Sequence, residues 1–163
     1  MQAAKDTFFM TLCGRLQAVN PQRTVVIAGE TRPGLVVAEN EAGVCDQPPE
    51  AFCMEWGAAT PVSVSPLVSS TLMSVDVTFR YRTCGTNNGD CDRGRSLTEM
   101  DAELMGICTP QQTPKMDYSQ ATPAGLGSQV FWKAPQLGAA TQTAQMLGRS
   151  ATTTVYFYPE GEA

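Results

Sequence analysis

The chain has 163 residues, of which 42% are apolar and 17% charged, and its formal net charge is −5. Such a composition is typical of one globular domain, and an acidic chain is a poor candidate for gripping nucleic acid because it repels phosphates. The sequence contains no histidine, which excludes Ser-His and Cys-His nucleophile pairs and histidine-ligated metal sites.

The chain begins with a predicted helix. Over residues 3–19 the spacing i, i+3, i+4, i+7 of one helix face is followed by Phe9, Leu12, Cys13, Leu16 and Val19. Asn20 and Pro21 end it. The short apolar run within this segment, FFM, follows Asp6 and does not have the features of a signal peptide. We therefore expect the chain to be made and kept in the cytosol, and no apolar run approaches the ~20 residues of a membrane span.

Five segments are predicted to be strands, because they are rich in apolar and β-branched residues and are bounded by turn residues. They are 24–28, 34–39, 52–56, 67–82 and 151–160. The first two flank the turn GETRP. The fourth is the strongest, because apolar and polar residues alternate from Met73 to Tyr81, which predicts one buried face and one wet face.

A second helix is predicted at about 97–108. Ser96 and Glu99 have the spacing of a capping box, and an apolar stripe follows them. The acidic residues Asp101 and Glu103 lie opposite this stripe, so we expect them on a solvated or interface face.

Residues 109–150 are rich in Pro, Gln, Thr, Ser and Gly and predict a loop-rich polar arm, interrupted by the apolar island 129–133. Taken together, the elements predict a single α+β domain over 1–163. We expect an antiparallel sheet with two flanking helices and long polar loops or arms.

The stretch YRTCGTNNGDCDRGRS raises the question of a metal site. Cys84 and Cys91 are separated by six residues, and no second cysteine pair completes four zinc ligands. The side chains of Asn87, Asn88, Asp90 and Asp92 could bind calcium, but their spacing does not match a calcium loop. The stretch therefore predicts a turn and no metal.

Six cysteines leave the redox state open. Two pairs bracket loops and are candidate disulfides: Cys84 with Cys91, and Cys45 with Cys53. In the cytosol they would be reduced. Cys13 and Cys108 fall at apolar helix positions and are predicted to be small buried hydrophobic residues.

Arginines cluster around the same stretch. They could bind phosphates, or they could pair with Asp76, Asp90, Asp92 and Asp101 or with acids of a neighbouring subunit, which the acidic chain favours. The candidate interface residues are Arg80, Arg82, Asp90, Asp92, Arg93, Arg95, Phe131 and Trp132.

The order of these elements resembles a known family. A helix containing FFMTLCGRL leads to VVIAGE and RPGLVVAENE, then SVDVTFRYRT runs into DRGRSLTEMDAELMGIC, and SQVFWKAP precedes the last strand, TTTVYFYPE. This pattern is similar to that of the tail terminator and neck proteins of long-tailed bacteriophages and prophages, and it covers most of the chain.

The resemblance implies a structural virion protein that forms a ring, usually a hexamer. Such a ring ends the tail tube and contacts the head connector or head-completion protein, and genomic DNA passes through its lumen. The family implies no catalytic residue and no cofactor, assembly in the host cytoplasm and a final place in the tail or neck, without a membrane.

Two alternatives remain open at this point. The cysteines would suit a secreted or surface-exposed binding module held by disulfides. Cys84, Cys91, Asp90 and Asp92 would be the candidate residues of a small enzyme that uses a thiol or carboxylates.

Overall fold

The computed structural model describes residues 1–40, 48–62, 71–86 and 91–159, and these form two helices and ten strands. Helix α1 spans Gln2–Val19 and helix α2 spans Arg93–Ile107. The strands in chain order are β1 (Thr24–Ile27), β2 (Glu30–Pro33), β3 (Leu35–Val37), β4 (Phe52–Pro61), β5 (Met73–Thr83), β6 (Gln112–Asp117), β7 (Ala124–Trp132), β8 (Gln136–Leu137), β9 (Thr141–Gln142) and β10 (Leu147–Phe157). The predicted α+β class and the predicted first helix are confirmed.

Eight of these strands form one sheet in the order β3-β4-β5-β10-β7-β6, and β8 and β9 pair with β10. The β5–β10 pair is antiparallel over eleven positions, from Leu147 opposite Thr83 to Phe157 opposite Met73. The β3–β4 pair is parallel, so the sheet is mixed and departs from the antiparallel sheet that we predicted. A parallel pair needs a connection of a dozen or more residues, and the segment 38–51 is long enough to provide one.

The core lies between the helices and one face of this sheet. Phe8 of α1 packs against Phe79, and Asp101 of α2 accepts a hydrogen bond from Tyr81, so both helices contact the same face of β5. The buried residues at the centre include Leu12, Leu16, Leu97, Met100, Leu104, Phe52, Met54, Val75, Val77, Val130, Val155 and Phe157. The alternation predicted from Met73 to Tyr81 is confirmed, whereas residues 67–70 of that predicted strand lie outside the described part of the chain.

Strands β1 and β2 form a hairpin of their own, outside the main sheet. Its two central turn residues, Ala28 and Gly29, have positive φ values of 51° and 81°, the pattern of a type I′ turn. We predicted a longer turn over 29–33 and a second strand over 34–39. The turn prediction was wrong, because a two-residue turn lets a strand start at Glu30. The strand predicted over 34–39 is found in part as β3, which joins the main sheet and not the hairpin.

Residues 109–150 are mostly strand, so the prediction of a loop-rich arm in this segment was wrong. Strands β6 and β7 form a hairpin, and β8, β9 and the start of β10 follow. Helix α1 covers the β6 edge, where the Met116 N–H donates to Thr7 Oγ1 at 3.0 Å. Because β6 and the first part of β7 are held mainly by backbone pairing, their sequence lacks the apolar alternation that would have revealed them.

Helix α2 begins at Arg93, four residues before its predicted start, and the capping-box prediction is wrong. Ser96 is buried inside the first turn, and its N–H donates to the Asp92 carbonyl at 3.0 Å as an ordinary helical bond. The Asp92 carboxylate accepts hydrogen bonds from Thr86, and this loop closure brings the chain into the helix earlier than the sequence pattern indicated.

Candidate subunit interface

The face of the β5–β10 pair that points away from the helices is polar, and we call it the outer face. Its facing pairs are Ser74–Tyr156, Asp76–Thr154, Thr78–Thr152 and Arg80–Ser150. Asp76, Arg80, Ser150 and Thr152 are exposed. The Thr154 hydroxyl donates to Asp76 at 2.8 Å. At ~3.4 Å per residue this surface runs for ~20 Å along the strands.

Arg80 forms an ion pair on the outer face, with 2.9 Å between its Nη2 and Oε2 of Glu55 on the neighbouring strand β4. The sequence suggested Asp76, Asp90, Asp92 or Asp101 as partners of the arginines, and strand pairing brings Glu55 to Arg80 instead. Their side chains are 62% and 52% exposed, and an exposed pair of this kind stabilises a monomer by no more than about 1 kcal/mol.

A cavity of about 340 Å³ opens where β5, β10 and β9 meet, and we call it the arginine cavity. Its lining includes Arg80, Arg82, Arg149, Thr141, Thr143, Met146 and Ser150. Arg149 was missing from the predicted cluster because it is far from the others in sequence. The β5–β10 register places it opposite Tyr81, so its side chain lies on the helix-covered face with Tyr81 and Asp101, whereas Arg80 and Arg82 lie on the outer face. The guanidinium groups on the outer side of the cavity are therefore those of Arg80 and Arg82. Guanidinium and hydroxyl donors arranged in this way can bind a carboxylate or a phosphate.

Asp101 fixes one wall of the arginine cavity. It was predicted to lie on a solvated or interface face, but it is 9% exposed and accepts hydrogen bonds from the Tyr81 hydroxyl at 2.5 Å and from Arg149 Nε at 2.9 Å. Burial, and then the hydrogen bond to Asp101, raise the pKa of Tyr81 well above its usual range. Arg149 Nη1 also donates to the Gly138 carbonyl, so this guanidinium is held in place on two sides.

The other predicted interface residues at this end of the sheet lie around the start of α2. Arg93 is half-buried and its Nη1 donates to the Thr143 carbonyl at 3.4 Å, which joins it to the wall of the arginine cavity. Arg95 is exposed. The hydrogen bonds from Thr86 hold the pKa of Asp92 below its usual range. Asp90 lies outside the described residues.

The prediction of a turn without a metal site can be compared only with part of this loop. Within residues 1–40, 48–62, 71–86 and 91–159, no group of three or more Cys, Asp or Glu side chains could hold a metal ion. Asn87 and Asn88, like Asp90, fall outside those ranges, so the calcium alternative concerns residues that the structure does not describe.

Neither candidate disulfide is formed in this structure, because Cys53 and Cys84 are free thiols. Cys53 lies within β4, opposite Arg80, and Cys45 is outside the described residues. At the other loop, the bonds between Thr86 and Asp92 close the base next to Cys84 and Cys91, where the disulfide was expected. Cys108 is fully buried, as predicted, and Cys13 is half-buried.

The two helix thiols give a pH prediction. Burial raises the pKa of Cys108 to about 12 and that of Cys13 to about 11, from 9.0. Because the pKa is higher in the folded than in the unfolded state, the folded protein favours the protonated thiol. The resulting contribution to the free energy of unfolding is complete below pH 9 and is lost as the pH rises towards 12. We expect Cys108→Ala to make the fall in unfolding free energy above pH 9 shallower, by about 1.4 kcal/mol per pH unit.

Urea denaturation at a series of pH values measures this slope. The matched control is Met105→Ala, which changes an exposed side chain of the same helix and removes no titratable group. An unchanged slope in Cys108→Ala would contradict the prediction.

The side chains of Phe131 and Trp132 lie on opposite faces of β7, so only Phe131 belongs to the candidate interface. Trp132 is 3% exposed and its Nε1 donates to the Cys108 carbonyl at 3.2 Å, which makes it a core residue and corrects the prediction. Phe131 stacks on Tyr156 of the outer face, with ring centroids 5.3 Å apart. The Lys133 ammonium lies 5.5 Å from the centre of the Tyr156 ring, and its hydrogen bond to Tyr156 raises the pKa of Lys133.

The chain matches no protein-family model, and the comparison with curated proteins finds no similar sequence. In the part of the chain that the structure describes, no helix has the length and apolarity needed to cross a membrane.

Proposed function

We propose that this chain is a structural subunit of a phage tail or neck and that it assembles into a ring of identical copies. The ring ends the tail tube and joins it to the head connector, and DNA passes through its lumen. The proposal includes the finer view of the fold, with two helices on one side of a sheet. It assigns no catalytic residue and no cofactor.

The observation that carries this proposal is the division of the molecule into a covered and an open side. Both helices contact one face of β5, whereas the outer face keeps Asp76, Arg80, Ser150 and Thr152 exposed. A separate hairpin, β1–β2, stands beside the sheet with Val26 68% exposed. An open sheet face and a hairpin with an exposed valine are surfaces that neighbouring subunits could contact.

Charge supports the same function. Each copy has a formal net charge of −5, and this charge multiplies around a ring. A lumen with such a field repels the phosphates of DNA, so the DNA slides through without adhering.

Native mass spectrometry of the purified protein tests the ring. We expect a closed assembly of one mass, and for a hexamer that mass is six times 17.5 kDa. Negative-stain electron microscopy should show the lumen. In particles, an antibody against this chain should label the junction between tail and head. A protein that stays monomeric up to ~100 µM, well above the Kd of a stable assembly, would rule out the ring.

A further inference from the structure

The β1–β2 hairpin has a free strand edge on the β1 side, which we call the β1 edge. In a two-residue hairpin the residues that flank the turn, here Ile27 and Glu30, exchange hydrogen bonds, and along the strands such pairs alternate with pairs that do not. Thr24 and Val26 belong to pairs of the second kind, so their N–H and C=O groups point away from β2. Within the described residues these groups have no hydrogen-bond partner, and the hairpin pairs with no strand of the main sheet.

The β2 side of the hairpin is less suited to pairing. Pro33 faces Thr24, so its backbone also points away from the hairpin, and proline has no N–H to offer at such a position. Within β2 only Thr31 keeps an outward N–H. Thr31 and Arg32 also lie beside α1, where they line a small cavity together with Gln17. A further strand can therefore add to the hairpin more readily at the β1 edge.

Strand β7 has a second free edge over residues 124–129, which we call the β7 edge. β7 pairs with β10 over residues 130–132. Beyond this point β10 leaves the ladder, because the Tyr158 carbonyl accepts a hydrogen bond from Lys115 Nζ at 2.6 Å and Pro159 has no N–H. β7 continues alongside β6. In the part of the chain that the structure describes, no strand therefore lies next to residues 124–129 on the β10 side.

Gly125 presents its backbone groups at the β7 edge. It faces Met116 of β6, whose N–H and C=O lie 3.0 and 3.4 Å from Thr7 Oγ1 of α1 and so point away from β7. Facing residues of an antiparallel pair exchange both bonds or neither, so the N–H and C=O of Gly125 point to the open side.

The packing around Gly125 does not explain why this residue is a glycine. Its φ is not among the positive values of the chain, and a Cβ placed there would meet the Met116 sulfur at an ordinary 3.9 Å. Gly125 is also exposed. A glycine within a strand often marks a place where another backbone approaches closely, and the β7 edge has room for one.

The two edges do not pair within one copy. The hairpin lies beside Gln17 of α1, and Met116 lies beside Thr7. These helix positions are ~15 Å apart along the helix axis, whereas paired strands are ~4.8 Å apart. A pairing of the two edges would therefore join two copies. Because the edges are different patches, the contact is heterologous, and its repetition closes a ring when the rotation between copies is suitable.

We propose that β1 of one copy adds as an antiparallel strand to the β7 edge of the next copy, with Val26 opposite Gly125. The N–H and C=O groups of these two residues then bond to each other, which gives protein partners to the outward backbone groups of both strands. The Val26 side chain, 68% exposed in the single copy, lies beside a residue that has no side chain. This inference rests on the proposed ring and names a contact within it, and the partner is a second copy of this chain.

Hydrogen–deuterium exchange of the wild type tests the pairing without any substitution. Peptides that contain residues 24–27 and 124–129 are compared between a dilute, monomeric sample and a concentrated, assembled one. We expect exchange of the outward amides in both segments to slow at least tenfold on assembly, because they become hydrogen-bonded. The control is the turn 118–123 at the tip of the β6–β7 hairpin, whose exchange should not change.

Proline substitution removes one donor at a time. Val26→Pro deletes an outward N–H and no bond within the hairpin, and it should raise the dissociation constant of the ring at least tenfold in a dilution series followed by native mass spectrometry. The matched control is Thr31→Pro, the equivalent change on the β2 side, which should assemble like the wild type. The two monomers should melt at the same temperature.

Cross-linking identifies the acceptor. Facing residues of a hydrogen-bonded antiparallel pair have Cα atoms ~5.5 Å apart, a distance that a disulfide spans. A chain with Val26→Cys and Gly125→Cys, treated with oxidised glutathione, should form a covalent ladder of copies as the two thiols are oxidised and glutathione is reduced. Chains with either substitution alone control for the native thiols.

Wild-type rings without slower exchange in the two segments, and with unaffected assembly of Val26→Pro, would overturn the strand-addition proposal and leave the ring proposal standing. Failure of the wild type to assemble at any concentration would overturn both. Weaker assembly of Val26→Pro with neither slower exchange at 124–129 nor a cross-linked ladder would reject the β7 edge as the acceptor.

Discussion

Replacing Phe8 with alanine should lower the free energy of unfolding by about 3–5 kcal/mol. Phe8 is fully buried, and its ring centroid lies 5.0 Å from that of Trp132, 5.7 Å from that of Trp56 and 6.4 Å from that of Phe79. The substitution removes this packing between α1 and the sheet and leaves a cavity that the surrounding strands can fill only in part. Because a domain is stable by only about 5–15 kcal/mol, much of the native state could be lost.

Tryptophan fluorescence during urea denaturation suits this measurement, because Trp56 and Trp132 are the two tryptophans of the chain and both contact Phe8. Phe8→Leu preserves most of the volume and should cost about 1.5 kcal/mol or less, which keeps a transition measurable. The control Met10→Ala changes an exposed side chain of the same helix. A loss below 1 kcal/mol for Phe8→Ala would contradict the packing described for this core.

The second large effect concerns Asp101. Replacing it with alanine should destabilise the protein by about 3 kcal/mol, because the change leaves the Tyr81 hydroxyl and the Arg149 guanidinium without their shared acceptor. Tyr81 is 2% exposed and the Arg149 side chain 20% exposed, so water can replace Asp101 only in part. The arginine cavity should also lose the fixed position of Arg149.

Chemical denaturation of Asp101→Ala, Tyr81→Phe and the double variant resolves the contribution of the hydrogen bond. Tyr81→Phe alone should cost about 1 kcal/mol, since Asp101 keeps its bond to Arg149. Glu99→Ala, at an exposed position of the same helix, should change stability by no more than about 0.5 kcal/mol. Equal effects of Asp101→Ala and Glu99→Ala would show that the buried network does not stabilise the fold.

These two sites differ in how much of them the sequence could reveal. The helical spacing of the first segment predicted a buried stripe that contains Leu12 and Leu16, which are buried, but it missed Phe8 and included Val19, which is 57% exposed. The alternation from Met73 to Tyr81 identifies the inward side chains of β5. The Asp101 network was predicted wrongly. Asp101 lies off the apolar stripe of α2 and was assigned to a solvated or interface face, but its partners Tyr81 and Arg149 come from distant strands and bury it.

The candidate interface was predicted in part. The arginines Arg80, Arg82 and Arg93 lie at or beside the arginine cavity, as their proximity in sequence suggested. Trp132 belongs to the core, and Arg149 was missed because only the β5–β10 register places it opposite Tyr81, beside Asp101. The contact between copies stays a proposal, since it depends on the relation between two molecules.

The sequence by itself determined the elements whose signal is local: the first helix, the strand β5 and the last strand, each marked by its own apolar period. Only the tertiary structure decided which strands pair and which polar side chains become buried. Strands β6 and β7 are held largely by backbone hydrogen bonds to each other and by α1, and Asp101 is buried by residues far away in sequence. Such partners are not encoded in any short segment, because the energy that selects them arises when distant parts of the chain come together.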